Sequence, residues 1–310
     1  MTEGPQILGV WLLRDEENFA AWSLLNAVEF CDRVLVMDNR SRDRTRQIVE
    51  AVAARYRHVE ILDVDDARDT HKYLEDYAGT RTWVFGVDGD EIYDPAGLAR
   101  MRPRLLAGEF DGYWRIAGHM RHVLGIRFDR AEAFGYTQPD APEGTKLFNF
   151  SVIDDWRPGP HERLHGRKSI VFRPGYARDS VLRVWKSEGW DQTDFRCLHL
   201  CFVTRSRFEA SSPEKEAETT GRANPRERWG ERSLLRRVRR AVMRRLDPHY
   251  DLKRNYKRRN YARGPVASFE ITGFGAPNDF RTVDPGCAAA HEAVRTATER
   301  WSRMQPRLAP

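Results

Sequence analysis

The feature that most constrains this chain is a set of strand-length apolar segments that do not alternate. Residues 7–13, 33–37, 59–62 and 83–87 read as such runs, and the stretches between them carry helical spacing. Phe19, Trp22, Leu25 and Val28 fall near one helical face, as do Ile48, Val49, Val52 and Ala53, and residues 70–78 read as a third helix. Asp43 or Ser41 can cap the second of these helices. Strands apolar on both sides and separated by helices need cover on both faces, which predicts a parallel sheet. Such sheets bind ligands beyond the carboxyl ends of their strands. The polar clusters fall at those ends: Arg14-Asp15-Glu16, Asp38-Asn39, Asp65-Asp66 with Arg68, and Asp88-Gly89-Asp90-Glu91. Four acidic strand ends on one rim predict a site for a cation and a polar ligand.

After Pro95 the pattern changes. Residues 113–120, 146–152, 169–172 and 196–204 read as further strands between Pro- and Gly-containing loops, a mixed extension of the sheet suited to a second substrate. The expected division is a nucleotide-binding half over 1–105, an acceptor-binding half of the same domain over 106–210, and a basic helical extension over 211–310 with a last helix at 287–304. At 310 residues and 40% hydrophobic the chain can bury a sizeable core. It has no run of about 18 or more apolar residues of the kind that spans a bilayer. Four Cys in 310 residues do not make a disulfide framework. With an acidic start in place of a signal peptide, that points to the cytoplasm.

Charge is concentrated. Residues 222–263 carry 16 Lys and Arg against 4 Asp and Glu, a local +12, so the net +6 of the chain leaves −6 elsewhere. Within that segment Leu234, Leu235, Val238, Ala241, Val242 and Leu246 share one helical face opposite paired arginines. A helix packed on the main domain with a solvated basic face is one reading. A helix lying peripherally on an anionic membrane surface is a second. Nucleic-acid binding is a third, disfavoured because no nucleic-acid motif accompanies the charge.

Two acids at i and i+2 on a turn leaving a buried strand, Asp88 and Asp90, suit a hard divalent cation that keeps positions open for phosphate oxygens. A solvated turn is the plainer alternative. Cys197, His199 and Cys201 would share one face of an extended strand. Zinc would need a fourth ligand and a turn-like geometry, and neither is visible. Buried thiols beside a functional or a core histidine remain the alternatives.

Taken in order, Leu13-Arg14-Asp15-Glu16, then Asp38-Asn39-Arg40-Ser41-Arg42-Asp43-Arg44-Thr45, then Trp83 through Asp88-Gly89-Asp90-Glu91 resemble the motifs of family-2 glycosyltransferases of the GT-A fold. The resemblance covers residues 6–100, with Asp15 where Asn is usual and Arg42 and Arg44 in place of smaller residues. It implies an α/β fold on a GT-A-like, Rossmann-type, mostly parallel sheet. It also implies a metal-dependent, inverting transfer from a nucleoside diphosphate sugar, expected to be a UDP-sugar, to a hydroxyl of a glycan, lipid-linked glycan or small natural product.

By the same resemblance Asp38 accepts from the nucleotide base, and Asp88 contacts ribose or, through water, the metal. Asp90 holds Mn2+ or Mg2+, and Arg14 belongs to the donor-binding rim. Arg68 or Lys72 would touch base or phosphate, or simply start a helix in solvent. His199 is a further candidate for metal or diphosphate. His161-Glu162 resembles a His-Glu segment of the family, which makes Glu162 the leading candidate for the base. Asp155, Asp154 and Glu132 follow it, and an ordinary loop ion pair of Glu162 with Arg163 or Arg167 is the alternative. A sugar-phosphate nucleotidyltransferase would be expected to carry an early Gly-rich phosphate loop, which Gly9-Val10-Trp11-Leu12 is not. A non-catalytic nucleotide- or nucleic-acid-binding module is the remaining class.

Overall fold

The structure is a computed structural model that describes residues 4–137, 145–156, 170–203, 205–208, 242 and 265–275. The first strands are β1 (Gln6–Leu13), β2 (Arg33–Asp38), β3 (Val59–Asp63) and β4 (Thr82–Asp88), with α1 (Ala20–Ala27) and α2 (Thr45–Arg55) in the first two crossovers. β1 pairs in parallel with both β2 and β4, and β2 with β3. Their unbroken apolar pattern has a direct cause. Ile7, Trp11, Leu13, Val34 and Val36 enter one core cluster, while Leu8, Val10, Leu35 and Met37 enter another on the opposite face. Each such burial is worth about 1.5–3 kcal/mol relative to exposure.

The two faces are covered differently. α1, α2 and α3 (Pro95–Leu106) cover the first, through residues such as Leu24, Val49, Leu98 and Met101. α3 starts where Asp94 accepts from the N–H groups of Ala96 and Gly97 and Pro95 opens the first turn. The other face meets Leu74, Phe150, Val152, Ile153 and Ile170 rather than a helix. The third helix expected over 70–78 is instead two 3-10 turns, Ala67–Tyr73 and Glu75–Tyr77. Short bonds such as Leu74 N–H to His71 O and Tyr77 N–H to Leu74 O close them. Asp, Thr, His and Tyr are weak helix formers, and of this segment's apolar residues only Leu74 is fully buried.

The second half supplies β5 (Glu91–Tyr93), β6 (Arg115–Ala117), β7 (His119–Arg127), β8 (Glu132–Tyr136), β9 (Lys146–Asn149), β10 (Ile153–Trp156), β11 (Ile170–Phe172), β12 (Val181–Arg183), β13 (Arg196–His199) and β14 (Val266–Glu270). The seven-stranded sheet runs β12-β6-β9-β4-β1-β2-β3. Only β9 is antiparallel to its neighbours there, so the expected mostly parallel α/β sheet with a mixed extension is present. A five-stranded sheet runs β14-β8-β7-β13-β5, and β10 with β11 forms a separate ribbon. The strand expected over 196–204 ends at His199, and Cys201 lies in the turn beyond it.

Residues far along the chain close over α1. Trp22 Nε1–H and Asn26 Nδ2–H both donate to the carbonyl of Phe274, at 2.7 and 2.8 Å. Among the described residues no helix is long and apolar enough to cross a membrane. The basic segment 222–263, apart from Val242, and the helix expected at 287–304 lie outside the described residues.

Candidate active site

The carboxyl ends of β1 to β4 lie side by side, with Leu13 opposite Asp38, Asp38 opposite Asp63 and Leu12 opposite Asp88. Between β1 and β4 the strand order turns back, which is where sheets of this kind open a ligand crevice. The turn after β4 is also the seam of the molecule, because Gly89 and Asp90 carry the chain directly into β5 of the second sheet. Gly89 has no room for a side chain: a Cβ there would meet Glu16 Cγ at 2.7 Å and Leu13 Cδ2 at 2.8 Å.

The acidic turn after β1 proves to be a set of clasps. Asp15 adopts a left-handed φ of 51°, a region Asp and Asn tolerate better than most residues. Its carboxylate accepts from the Arg42 backbone at 2.8 Å and the Arg42 guanidinium at 2.9 Å. Ser41 Oγ, a proposed cap, accepts instead from Asp15 N–H at 3.0 Å, and Asp43 Oδ1 takes the Thr45 N–H at the start of α2. Glu16 accepts from Arg205 Nη1 at 2.9 Å, and Glu17 from the Arg207 side chain at 2.6 Å. Burial alone would raise the Glu17 pKa, yet hydrogen bonds from Arg207 and Arg44 hold it below its ordinary value.

Asn39 ties strand ends together. Its N–H donates to Leu13 O at 2.8 Å, its Nδ2 donates to Val64 O at 3.0 Å, and its Oδ1 accepts from Arg14 Nη1 at 3.3 Å. Asp38 is 6% exposed and accepts the Ser41 N–H through Oδ1. Lys72 is exposed and paired with Asp69 at 2.9 Å. Arg68 sits on the same 3-10 turn, its side chain outside the description.

The two acids of the Asp88-Gly89-Asp90 turn part company. Asp88 Oδ2 accepts from Lys146 Nζ at 2.8 Å, and the same ammonium donates to Glu91 Oε1 at 2.6 Å. Lys146 reaches them because β9 runs antiparallel to β4 with Lys146 opposite Gly86. Burial pushes the Glu91 carboxyl up to about 7 against the pull of Lys146, and the Asp88 charge adds to the push.

Asp90, 4% exposed, has other company. His199 Nε2 lies 3.7 Å from its Oδ1, and Arg205 Nη1 lies 3.8 Å from its Oδ2. Its carbonyl accepts the Leu200 N–H at 2.8 Å, which fixes the chain just after His199. The second sheet supplies the register: β13 sets His199 opposite Glu91 on β5 and opposite His122 on β7. His122 Nδ1 meets His199 Nδ1 at 2.9 Å, and burial pushes the His122 pKa well below its ordinary value, with His199 adding to the shift.

The structure thus sets Asp90 beside His199 and Asp88 on a strand end next to those that lead to Arg14 and Asp38, gives Glu91 of the same acidic turn a place beside Asp88, and adds Lys146, Arg205 and His122, which sequence reasoning had not selected as site residues. Asp155 lies exposed on β10 in the separate ribbon. Glu162, like His161, lies outside the described residues.

No protein-family model matches the chain, and no curated protein is similar to it in sequence. Among solved structures it is similar to that of glucosyl-3-phosphoglycerate synthase from Mycobacterium tuberculosis in complex with Mn2+, uridine diphosphate and glucosyl-3-phosphoglycerate. The identity is 14% and the TM-score 0.37, over 58% of this chain and 69% of that one.

Proposed function

We propose that this chain is a metal-dependent glycosyltransferase that takes a nucleoside diphosphate sugar, by expectation a UDP-sugar, and delivers the sugar to a hydroxyl acceptor. The observation that carries the reading is the facing pair of Asp90 Oδ1 and His199 Nε2, 3.7 Å apart at the seam of the two sheets. Two donors each about 2.0–2.2 Å from one ion can span such a gap. A carboxylate with an imidazole admits Mn2+ more readily than Mg2+, which prefers an all-oxygen shell. Asp90 and His199 would therefore hold the cation, and Asp88, engaged by Lys146, would serve the donor's ribose.

When bound, a divalent cation there supplies a Lewis acid for the charge that develops on the β-phosphate as the sugar leaves. The rest falls to the chain. Asp38, with Oδ1 engaged by Ser41, presents its remaining oxygen to the nucleotide base. Arg205, held between Glu16 and Asp90, keeps the Asp90 carboxylate oriented. Lys146 fixes Asp88 and Glu91, so that Asp90 is the acid of the turn that faces His199 and Arg205. An inverting transfer also needs a carboxylate to take the acceptor's proton; Glu162 leads and Asp155 follows for that role.

Calorimetric titration with UDP, GDP, dTDP and ADP, each with Mn2+ and with EDTA, tests the reading. Binding of one nucleotide that needs the metal, and that Asp90→Ala abolishes, is the expected result. Metal-independent binding, or none, would overturn it.

A further inference from the structure

His199 has two ring nitrogens, and the fold gives them different neighbours. Nε2 faces Asp90 Oδ1, whereas Nδ1 faces Nδ1 of His122 at 2.9 Å. Cys201 joins from the turn beyond β13. One ligand atom from each of His122, His199 and Cys201 lies within 4.8 Å of the others, and the three residues are 1%, 7% and 0% exposed.

We propose that His122, His199 and Cys201 form a second metal site that takes a borderline or soft divalent cation, Zn2+ being the best fit, and that filling it withdraws His199 Nε2 as a co-ligand for a cation at Asp90. The withdrawal rests on the glycosyltransferase reading above; the site itself does not.

Donor chemistry is the first argument. Two imidazoles and a thiolate are zinc ligands, while a carboxylate-led pair suits harder ions. The sequence pattern of Cys197, His199 and Cys201 suggested a different trio, but β13 ends at His199. Cys197 goes into the core instead, its Sγ donating to Leu198 O at 3.3 Å. Pre-positioning is the second argument. Backbone pairing of β7 with β13 fixes His122 against His199, and the bond from Leu200 N–H to Asp90 O anchors the turn that carries Cys201. Zinc bonds of about 2.0–2.1 Å to nitrogen and 2.3 Å to sulfur place tetrahedral neighbours about 3.3–3.6 Å apart. A sulfur at the 4.8 Å limit would need to draw in by about 1.2 Å and the two Nδ1 atoms to part by about 0.4 Å, a side-chain adjustment.

The third argument is the proton between the rings. At 2.9 Å one Nδ1 donates to the other, so a single hydrogen occupies the place a cation would take. For a metal to sit there, both rings must carry their hydrogen on Nε2, and the Cys201 thiol must release its proton to solvent. The Nε2–H of His199 then points at Asp90 Oδ1, a carboxylate–histidine–metal arrangement. That hydrogen also blocks Nε2 as a ligand. One imidazole cannot serve both cations, so zinc and manganese should antagonise each other.

The test uses the full chain, stripped by a chelator and titrated with Co2+ as a spectroscopic stand-in for Zn2+. A near-ultraviolet thiolate-to-cobalt charge-transfer band saturating at a single equivalent is expected. Cys201→Ser and His122→Ala should lose it; Cys197→Ser and Asp90→Ala should keep it. Cys201→Ala replaces the serine variant if that one fails to fold. No band in the unaltered protein, or a band that survives loss of the Cys201 thiol, overturns the site. Mn2+ affinity should fall by about tenfold or more once Zn2+ is present, and unchanged Mn2+ affinity would overturn the antagonism. If Mn2+ binds under no condition, the glycosyltransferase reading fails while the cobalt band still decides the site.

Discussion

Asp88 and Asp90 stand two residues apart and occupy different chemical regions. Asp88, with Glu91, already has its cation. The Lys146 ammonium is tethered to β9, its side chain is 9% exposed, and it holds both acids at 2.8 and 2.6 Å. Asp90 looks the other way, toward the imidazole of His199 and the guanidinium of Arg205. One region faces a lysine shared between two acids; the other faces an imidazole and an arginine shared with Glu16. An Asp-x-Asp motif therefore need not give both acids the same surroundings, since here the first pairs with a lysine while the second faces a histidine and an arginine.

Removing the tethered cation should have the largest effect. Lys146→Met leaves Glu91, 2% exposed, beside Asp88 with no ammonium between them. A loss of about 3–5 kcal/mol is expected from urea denaturation at pH 8, and a loss under about 1 kcal/mol would mean the pair behaves like a surface bridge. The pH dependence carries a definite sign. In the unfolded chain Glu91 sheds its proton near the ordinary 4.5, and in the folded chain near 7. Between those values the folded state holds more protons, so this group's contribution to stability falls as pH rises. Without Lys146 the folded pKa rises further, and the penalty of the variant should shrink from pH 8 to pH 6.

The second region is sharpened by function rather than stability. Asp90→Ala should lower turnover and metal-dependent nucleotide binding by roughly 10²–10³-fold while the urea midpoint stays near that of the parent. Asp88→Asn giving the same loss at unchanged stability would erase the distinction between the two acids.

A smaller effect is expected at the clasp between Glu17 and Arg207. Hydrogen bonds from Arg207 and Arg44 hold Glu17 below 4.5, so the stabilisation it supplies is present above that pH and is lost as pH falls through the lowered value. The protection of the Arg207 N–H against hydrogen exchange, relative to its intrinsic rate at each pH, should fall below pH 4.5, because that N–H donates to Glu17 Oε1 at 2.9 Å. It should lose that pH dependence in Glu17→Gln; exchange indifferent to acid would show the clasp is unimportant. Least of all should change in Lys72→Ala, because that ammonium is exposed and paired with Asp69. Nucleotide affinity within about twofold of the parent is expected, and a larger drop would support Lys72 as a donor contact.

The parallel sheet was legible because each of its central strands is buried on both sides, so hydrophobicity marks it without help from neighbours. The segment 70–78 misled because its apolar residues sit at helical intervals while its remaining residues resist a helix, and one buried leucine does not outweigh them. At the site, Asp88 and Asp90 were legible as a pair of acids just past a strand. Their separation was not, because it depends on Lys146, a lone lysine 58 residues from Asp88 whose role exists only through the antiparallel pairing of β9 with β4. His122 was hidden in the same way, 77 residues from His199 and set against it by strand register alone. Arg205 left a faint signal as a charge just past a late strand. Nothing local distinguished it from the many arginines around it.

The bonds that Trp22 and Asn26 send to the carbonyl of Phe274 bear on how the chain is made. The two donors precede their acceptor by 252 and 248 residues. At about 5–20 residues per second, a ribosome needs roughly 13–50 s to deliver Phe274 after Trp22 has been synthesised. For that interval the indole N–H of Trp22, in a residue 1% exposed in the finished fold, lacks the acceptor it has there. The helix of the sheet's first crossover thus gains its last hydrogen-bond acceptor about 250 residues of synthesis after its own residues are joined.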